Sequence, residues 1–287
     1  MLICIDHGNK QIKTNHRTFT SGLVESDTRP PFGDNTMFYN GKYYTLSDQR
    51  IPYIRDKTED DRFFILTLFA IAFEINIAGQ YMTDKLIDIQ LAVGLPPAHY
   101  GTQYKKFAQY FLDRGVISFE CNGRVYSVCI TGAVCFPQAL AATAPVFKQL
   151  QLSTVAKATV IDIGGFTADY LCLRYGTADW AACDSLENGV IVLYNRLLSK
   201  IRADYDLLLE ESDIDTILTR EGTEYGQGIQ ALVEHEAQAF ISDLFRTLRE
   251  RKVELRTGKV SSAVFMEEIG ANAAGYGLLY AAANSRR

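Results

Sequence analysis

A short apolar run that ends in an acid and two glycines is the stretch best suited to chemistry. The residues from Val160 to Ile163 are mostly β-branched and predict a buried strand, which Asp162 interrupts. A buried carboxylate is costly unless it is compensated, so Asp162 is expected to face a metal ion, a water or a donor. Gly164 and Gly165 allow a tight turn with positive φ and a close approach of backbone N–H groups to a ligand. Thr167 adds a hydroxyl before a second β-rich run, so the stretch predicts a hairpin suited to phosphate and metal.

The same pattern occurs at the start of the chain. An apolar strand from Leu2 leads to Asp6, then Gly8 and Asn9, and a second strand carries Lys13. One acid–glycine turn between two strands could be an ordinary β-turn. Two copies, one at the start and one past the middle of the chain, suggest two related halves around a cleft.

Five stretches spread over nearly the whole chain carry a family resemblance. They are Ile5-Asp-His-Gly-Asn-Lys-Gln-Ile-Lys13, Tyr39-Asn-Gly-Lys-Tyr-Tyr-Thr45, Leu91-Ala-Val-Gly-Leu-Pro-Pro97, Ile161-Asp-Ile-Gly-Gly-Phe-Thr-Ala-Asp169 and Gly270-Ala-Asn-Ala-Ala-Gly-Tyr276. The chain resembles the superfamily of actins, sugar kinases and heat-shock chaperones, and within it the bacterial plasmid-segregation actins of the ParM/StbA type. The resemblance implies an α/β, actin-like (ribonuclease H-like) two-lobed ATPase fold, with duplicated βββαβα cores around a nucleotide cleft.

The same resemblance implies how the chain divides into lobes. Residues 1–157 would form lobe I with the first phosphate hairpin. Residues 158–270 would form lobe II with the second hairpin. Residues 271–287 would be a C-terminal helix that packs back on lobe I.

The resemblance also assigns a ligand set. ATP or GTP with Mg²⁺ would be bound, the metal by Asp6 and Asp162, and Lys13 would contact the phosphates. The remaining residues implied to line the nucleotide are Gly8, Asn9, Gly164, Gly165, Phe166, Thr167, Glu187 and Gly189.

Gln138 is the expected catalytic residue together with Asp162. The residues from Thr131 to Leu140 predict a strand end running into a helix, with Pro137 near its first turn. By resemblance, the side chain at position 138 points at the attacking water and is often Glu in ParM-like proteins. A glutamine can orient water but is a poor general base. The alternative is a structural glutamine at a helix start, hydrogen-bonded to backbone.

One family element is missing from the expected place. A strand and a Gly-Gly-Gly turn that hold the adenosine would be expected near residues 252–262, and the sequence there has no such turn. Either the element is lost or a segment is absent from this chain. A real loss would weaken nucleotide binding.

Composition excludes some classes of protein. The chain has 287 residues, is 47% hydrophobic and carries a formal net charge of −5, which argues against broad nucleic-acid or membrane binding by charge. The six cysteines form no C-x-x-C pair, which favours buried reduced thiols and a cytoplasmic location. The start of the chain predicts a strand and not a signal peptide. The apolar stretch 63–78 is shorter than the ~20 residues that span a bilayer and predicts a buried helix.

The remaining pattern alternates strands and helices. Asn40-Gly41 and Asn122-Gly123 predict hairpin turns within 37–46 and 116–130. A strand is predicted over 86–95. Helices are predicted from residue 60, over 102–113, from about 190 to 203, within 207–221, and over 226–251 and 271–283.

These features favour a cytoskeletal ATPase. Hydrolysis would time the life of a head-to-tail filament of this protein. By resemblance, the filament would move plasmid DNA through an adaptor bound to a plasmid centromere, with no direct contact to nucleic acid or membrane. One alternative is a nucleotide-binding scaffold without turnover, as in actin-like pilus-assembly proteins. Another is a small-molecule kinase of the same superfamily, although no sugar-binding cluster is evident.

Overall fold

The computed structural model describes residues 1–31, 35–82, 85–220, 225–251, 253, 264, 266 and 270–285. Its strands are β1 (Leu2–His7), β2 (Gln11–Lys13), β3 (Thr18–Thr20), β4 (Leu23–Ser26), β5 (Thr36–Tyr39), β6 (Lys42–Leu46), β7 (Leu86–Leu95), β8 (Val116–Cys121), β9 (Arg124–Pro137), β10 (Ala158–Ile163), β11 (Ala168–Arg174), β12 (Thr177–Ala178) and β13 (Asp184–Leu186). Its helices are α1 (Arg62–Ile77), α2 (Pro97–Leu112), α3 (Leu140–Thr143), α4 (Ile191–Tyr205), α5 (Glu211–Thr219), α6 (Gly226–Glu250) and α7 (Ala271–Asn284).

Contacts divide the chain into two compact units. The first comprises Met1–Asp162, Asp169–Ser185 and Glu267–Arg287, and the second comprises Ile163–Ala168 and Leu186–Met266. The predicted lobe boundary between residues 157 and 158 does not coincide with this division and stays a prediction. Within the first unit, α7 packs on β1 and β7.

A nine-stranded sheet forms the frame of the first unit, in the order β3-β2-β1-β7-β9-β8-β5-β6-β4. The three central strands β1, β7 and β9 run parallel, and the outer pairs are antiparallel. The carboxyl ends of parallel strands meet at one edge of a sheet, where ligands commonly bind in open α/β folds. Asp6 lies near the end of β1 and Gln138 directly follows β9, so both belong to this edge.

The core of the first unit is built around α1. Every side chain from Phe63 to Ile75 is buried, because the helix is apolar on nearly all sides and its neighbours cover it completely. The prediction of a buried helix is confirmed.

Local turn signals predicted the hairpins correctly. Asn40 and Gly41 have φ of 50° and 82°, and Asn122 and Gly123 have φ of 52° and 76°. Positive φ at both central residues is the type I′ geometry, whose twist matches that of the flanking strands. The predicted strand 86–95 has the same bounds in the structure.

Two predicted helix starts were wrong. The helix predicted from Thr102 begins at Pro97, because proline is well tolerated in the first helical turn. Pro137 was expected inside a helix but ends β9, where it pairs with Leu95 of β7. The helix that follows, α3, is a single turn.

The second sheet carries the central acid–glycine hairpin. Its order is β10-β11-β12, with β13 also paired to β11. The prediction that 160–163 is buried was wrong, since β10 is only half-buried and Ile163 is 37% exposed.

Three helices account for most of the second unit. α4, α5 and α6 share an apolar core that includes Leu197, Ile214 and Val233. The buried carboxylate of Glu236 on α6 accepts a hydrogen bond from Lys200 of α4 at 2.5 Å. The predicted long helix 226–251 is confirmed. The position of the missing glycine-rich turn, 252–262, lies outside the described residues except for Val253.

Across the described part of the chain, no helix combines the length and the apolar character needed to cross a bilayer.

Candidate functional site

Gln138 and Asp6 are joined at the carboxyl edge of the large sheet. The Nε2 of Gln138 donates to Oδ1 of Asp6 at 2.5 Å, and the two residues are 7% and 4% exposed. The backbone N–H of Gln138 donates to the carbonyl of Leu95, the last residue of β7. The side chain therefore bonds to the acid and not to backbone. With its amide nitrogen committed to Asp6, the amide oxygen is the group that can accept a hydrogen bond from water.

The residue after Gln138 has a strained backbone. Ala139 has φ 61° and ψ −49°, and the N–H of Leu140 donates to the carbonyl of Gln138 at 2.6 Å. This is the rare form of γ-turn. A positive φ at a residue with a Cβ costs roughly 1–3 kcal/mol and persists only where surrounding contacts enforce it.

Asn272 of α7 supplies one of those contacts and also bonds to Asp162. Its Oδ1 accepts from the N–H of Ala139 at 3.0 Å, and its Nδ2 donates to Oδ2 of Asp162 at 2.8 Å. One amide thus connects the turn that carries Gln138 to the acid of the central hairpin.

The surroundings of Asp162 shift its pKa in opposite directions. Burial raises the pKa of Asp162, the hydrogen bond from Asn272 and the charge of Lys13 lower it, and the charge of Asp6 raises it again. Asp6 and Asp162 therefore act on each other electrostatically, which is the setting in which a cation between two carboxylates is favoured.

Lys57 is a site residue that the sequence did not reveal. It is 5% exposed, and its Nζ lies 5.6 Å from the ring centroid of Phe63. Burial lowers the pKa of Lys57, whereas the charges of Asp6 and Asp169 raise it. Lys57 belongs to the charge-rich loop 55–61, where alternating charges give no sign that one of them is buried.

The first hairpin holds several of the predicted residues. Asp6 and Lys13 are register partners on β1 and β2. An added Cβ at Gly8 would lie 2.6 Å from the carbonyl oxygen of Gln11, so this glycine is required for space. The Oδ1 of Asn9 accepts from the N–H of Ile54 at 3.3 Å, which ties the hairpin to the loop before α1.

The hairpin glycines do not use the positive φ that a glycine allows. Gly8, Gly164 and Gly165 all lie outside the positive-φ region. At Gly164, as at Gly8, the constraint is space, since an added Cβ would lie 3.2 Å from the carbonyl oxygen of Thr167.

The tip of the central hairpin is bonded to the start of α4 within the second unit. The N–H groups of Gly189, Val190 and Ile191 donate to the carbonyls of residues 166, 164 and 165 respectively. An added Cβ at Gly189 would lie 2.4 Å from the carbonyl oxygen of Gly165. The predicted residues 164–167 and Gly189 are thus brought together. Glu187 is exposed, and the N–H of Gly189 is already used by Phe166.

Comparison with known proteins decides the type of fold. Residues 5–140 match the family described as "Actin like proteins N terminal domain". The chain has the actin-like fold. The α/β class and the resemblance predicted from the sequence are therefore confirmed.

Solved structures agree over the full length. Ta0583, an archaeal actin homolog, is 18% identical, covers 100% of this chain and 99% of its own, and has a TM-score of 0.73. The apo psk41 ParM protein is 13% identical, covers 99% and 98%, and has a TM-score of 0.68. The AlfA filament bound to AMPPNP is 15% identical, covers 100% and 98%, and has a TM-score of 0.58. A search of curated proteins finds no significant match.

The carboxylates of Asp6 and Asp162 are of the kind that binds a nucleotide together with Mg²⁺. Within the described ranges, no group of three or more His, Cys, Asp or Glu side chains could hold a metal ion. Mg²⁺ commonly keeps several waters and is bound by one or two carboxylates together with substrate phosphates. Asp6 and Asp162 supply carboxylate oxygens of that kind.

Proposed function

We propose that this protein is an ATPase whose nucleotide cycle controls the assembly of its own filaments. The observation that carries the proposal is the 2.5 Å hydrogen bond between Gln138 and Asp6, because it fixes an uncharged acceptor beside a carboxylate suited to Mg²⁺. ATP is the proposed nucleotide, with GTP as the competing substrate.

The residues have separate roles in hydrolysis. Gln138 orients the attacking water through its amide oxygen, and its weak basicity suits a slow timer better than a fast enzyme. Asp6 and Asp162 would hold the metal, and Lys13 would contact the phosphates as a point charge. When bound, Mg²⁺ neutralises the phosphate charge that develops during transfer. The positive charge of Lys57 compensates the negative charges of Asp6 and Asp169 while no nucleotide is bound.

The residues of the second hairpin are proposed to have the roles that the family resemblance implies. Gly164, Gly165 and Thr167 are proposed to bind phosphate, and Phe166, Glu187 and Gly189 to line the rest of the nucleotide. Support comes from two similar solved structures, Ta0583 in complex with ADP and the AlfA filament bound to AMPPNP.

Assembly is proposed to be head-to-tail, because a heterologous contact repeated between subunits gives an open filament. The filament would work in the cytoplasm and act on plasmid DNA through a DNA-binding adaptor. The similarity to the AlfA filament supports self-assembly, and the plasmid and adaptor follow from the resemblance to the ParM type.

The test combines sedimentation with phosphate release. The full chain is spun across a concentration series with Mg-ATP, Mg-ADP and Mg-AMPPNP. We expect filaments above a critical concentration with ATP and AMPPNP, and fewer with ADP. Asp162→Asn should slow phosphate release at least about 10-fold, whereas the exposed control Asp204→Asn on α4 should match the parent.

Two results would overturn the proposal. A chain that stays monomeric while it hydrolyses ATP would favour the kinase alternative. A chain that binds ATP but releases no phosphate would favour the scaffold.

A further inference from the structure

Asn272 occupies a position that the hydrolytic residues alone do not explain. It lies in the first turn of α7, is 9% exposed and makes no direct bond to Asp6 or Gln138 among the interactions of the described residues. Its two amide atoms are both used, one on Ala139 and one on Asp162. The partners come from β10 and from the turn after β9, which lie 110 and 133 positions away from Asn272 in the sequence.

We propose that Asn272 is a positioning residue that sets the distance between the water-orienting Gln138 and the acid Asp162. The inference rests on the proposed function, since it names a residue through which Gln138 and Asp162 act together.

The amide of asparagine suits this position on chemical grounds. It must accept from the N–H of Ala139 and donate to a carboxylate at the same time. A side-chain amide has both groups, an ionised aspartate only accepts, and an apolar residue does neither. A single rigid amide also fixes the two partners relative to each other, which two independent contacts would not do.

The turn at Ala139 shows why such a contact is needed. Its positive φ is unfavourable for a residue with a Cβ, so the turn relaxes unless its N–H is held. Relaxation would rotate the peptide next to Gln138 and move its side chain off Asp6. A displacement of about 1 Å in a catalytic group costs on the order of 100-fold in rate.

The packing of α7 makes it a firm support for this contact. The backbone of Gly275 lies so close to α3 that an added Cβ would be 1.8 Å from the carbonyl oxygen of Ala141. The fully buried ring of Tyr276 stacks on Phe136 of β9 with ring centroids 6.1 Å apart. α7 therefore lies directly against both ends of the strained turn.

The experiment compares Asn272→Ala with Asn284→Ala, an exposed asparagine at the other end of α7. Three quantities are measured for each full-length protein: the ATP dissociation constant, the single-turnover hydrolysis rate, and the hydrogen-exchange rate of the Ala139 amide without nucleotide. For Asn272→Ala we expect hydrolysis slower by about 10- to 100-fold, ATP affinity within about 3-fold of the parent, and faster exchange at Ala139. Asn284→Ala should match the parent in all three.

Asn272→Asp serves as the second variant if Asn272→Ala does not fold. It keeps an acceptor for Ala139 but replaces the donor to Asp162 by a like charge. Exchange at Ala139 should then stay slow while hydrolysis still falls, which separates the two contacts.

An unchanged hydrogen-exchange rate of the Ala139 amide in Asn272→Ala would overturn the inference. A lower melting temperature together with an unchanged hydrolysis rate per bound nucleotide would also overturn it. If the parent releases no phosphate, the proposed function fails, and the exchange measurement by itself still decides whether Asn272 holds the turn.

Discussion

At the residue scale, the role proposed for Gln138 affects turnover and not nucleotide binding. Its amide nitrogen is bonded to Asp6, and its oxygen is the atom proposed to accept a hydrogen bond from water. Contacts made more strongly in the transition state than in the ground state change kcat and leave affinity nearly unaffected.

Gln138→Ala should therefore hydrolyse ATP about 10- to 100-fold more slowly while it binds ATP within about 3-fold of the parent. Filaments of the variant should persist longer after assembly. Phosphate release, equilibrium ATP titration and the decay of light scattering measure these quantities. The exposed Gln80→Ala is the matched control. Weaker ATP binding with an unchanged rate per bound nucleotide would show that the glutamine is structural.

At the scale of elements, α7 contacts the large sheet and α3 through small residues. Two glycines two positions apart on this helix meet different surroundings. An added Cβ at Gly275 would lie 1.8 Å from the carbonyl oxygen of Ala141, whereas one at Gly277 would lie 3.4 Å from the sulfur of Cys4. Backbone cannot move aside cheaply, but 3.4 Å is close to an ordinary contact distance.

Gly275→Ala should lower the free energy of unfolding by about 3 kcal/mol, because the added methyl group overpacks the contact with α3. Gly277→Ala should leave it unchanged or raise it by up to about 1 kcal/mol, because alanine favours the helix. Urea unfolding of both variants measures the difference. Equal effects would mean that α7 does not press on α3 as closely as the structure shows.

At the scale of the whole molecule, the reactivity of the cysteines measures the opening of the first unit and not of the second. All six are free, and none falls within the residues of the second unit. Burial raises the pKa of Cys4, Cys121 and Cys135 to about 12 in each case. Because the thiolate is the reactive form, these thiols are unreactive until the first unit opens.

A thiol reagent at pH 8 should therefore label the half-buried Cys129 and Cys183 before Cys4, Cys121 and Cys135. Mass spectrometry of peptides over a time course measures the order, and urea-unfolded protein, in which all six should react, is the control. Mg-ATP should slow the labelling of the buried group further, since a ligand that binds only the folded state reduces opening. Early labelling of Cys4 would contradict the packing of β1 against α7.

The sequence by itself determined the features that depend on neighbouring residues. The Asn-Gly pairs predicted the hairpin turns, and the apolar run over 86–95 predicted β7. The apolar character of α1 on nearly all sides predicted that this helix is buried. The five stretches that resemble the family were enough to predict the fold, and that resemblance implied Asp6, Asp162 and Gln138 as site residues.

Only the tertiary structure decided how those residues are held. The bonds from Gln138 to Asp6, from Asn272 to Asp162 and from Ala139 to Asn272 join residues 132, 110 and 133 positions apart. The burial of Lys57 depends likewise on strands and helices outside its own loop. A local pattern encodes backbone preference and which face is apolar, but it carries no information about a side-chain partner more than a hundred residues away. The strained turn at Ala139 could not be read from the sequence either, because alanine disfavours that conformation and contacts from α7 enforce it.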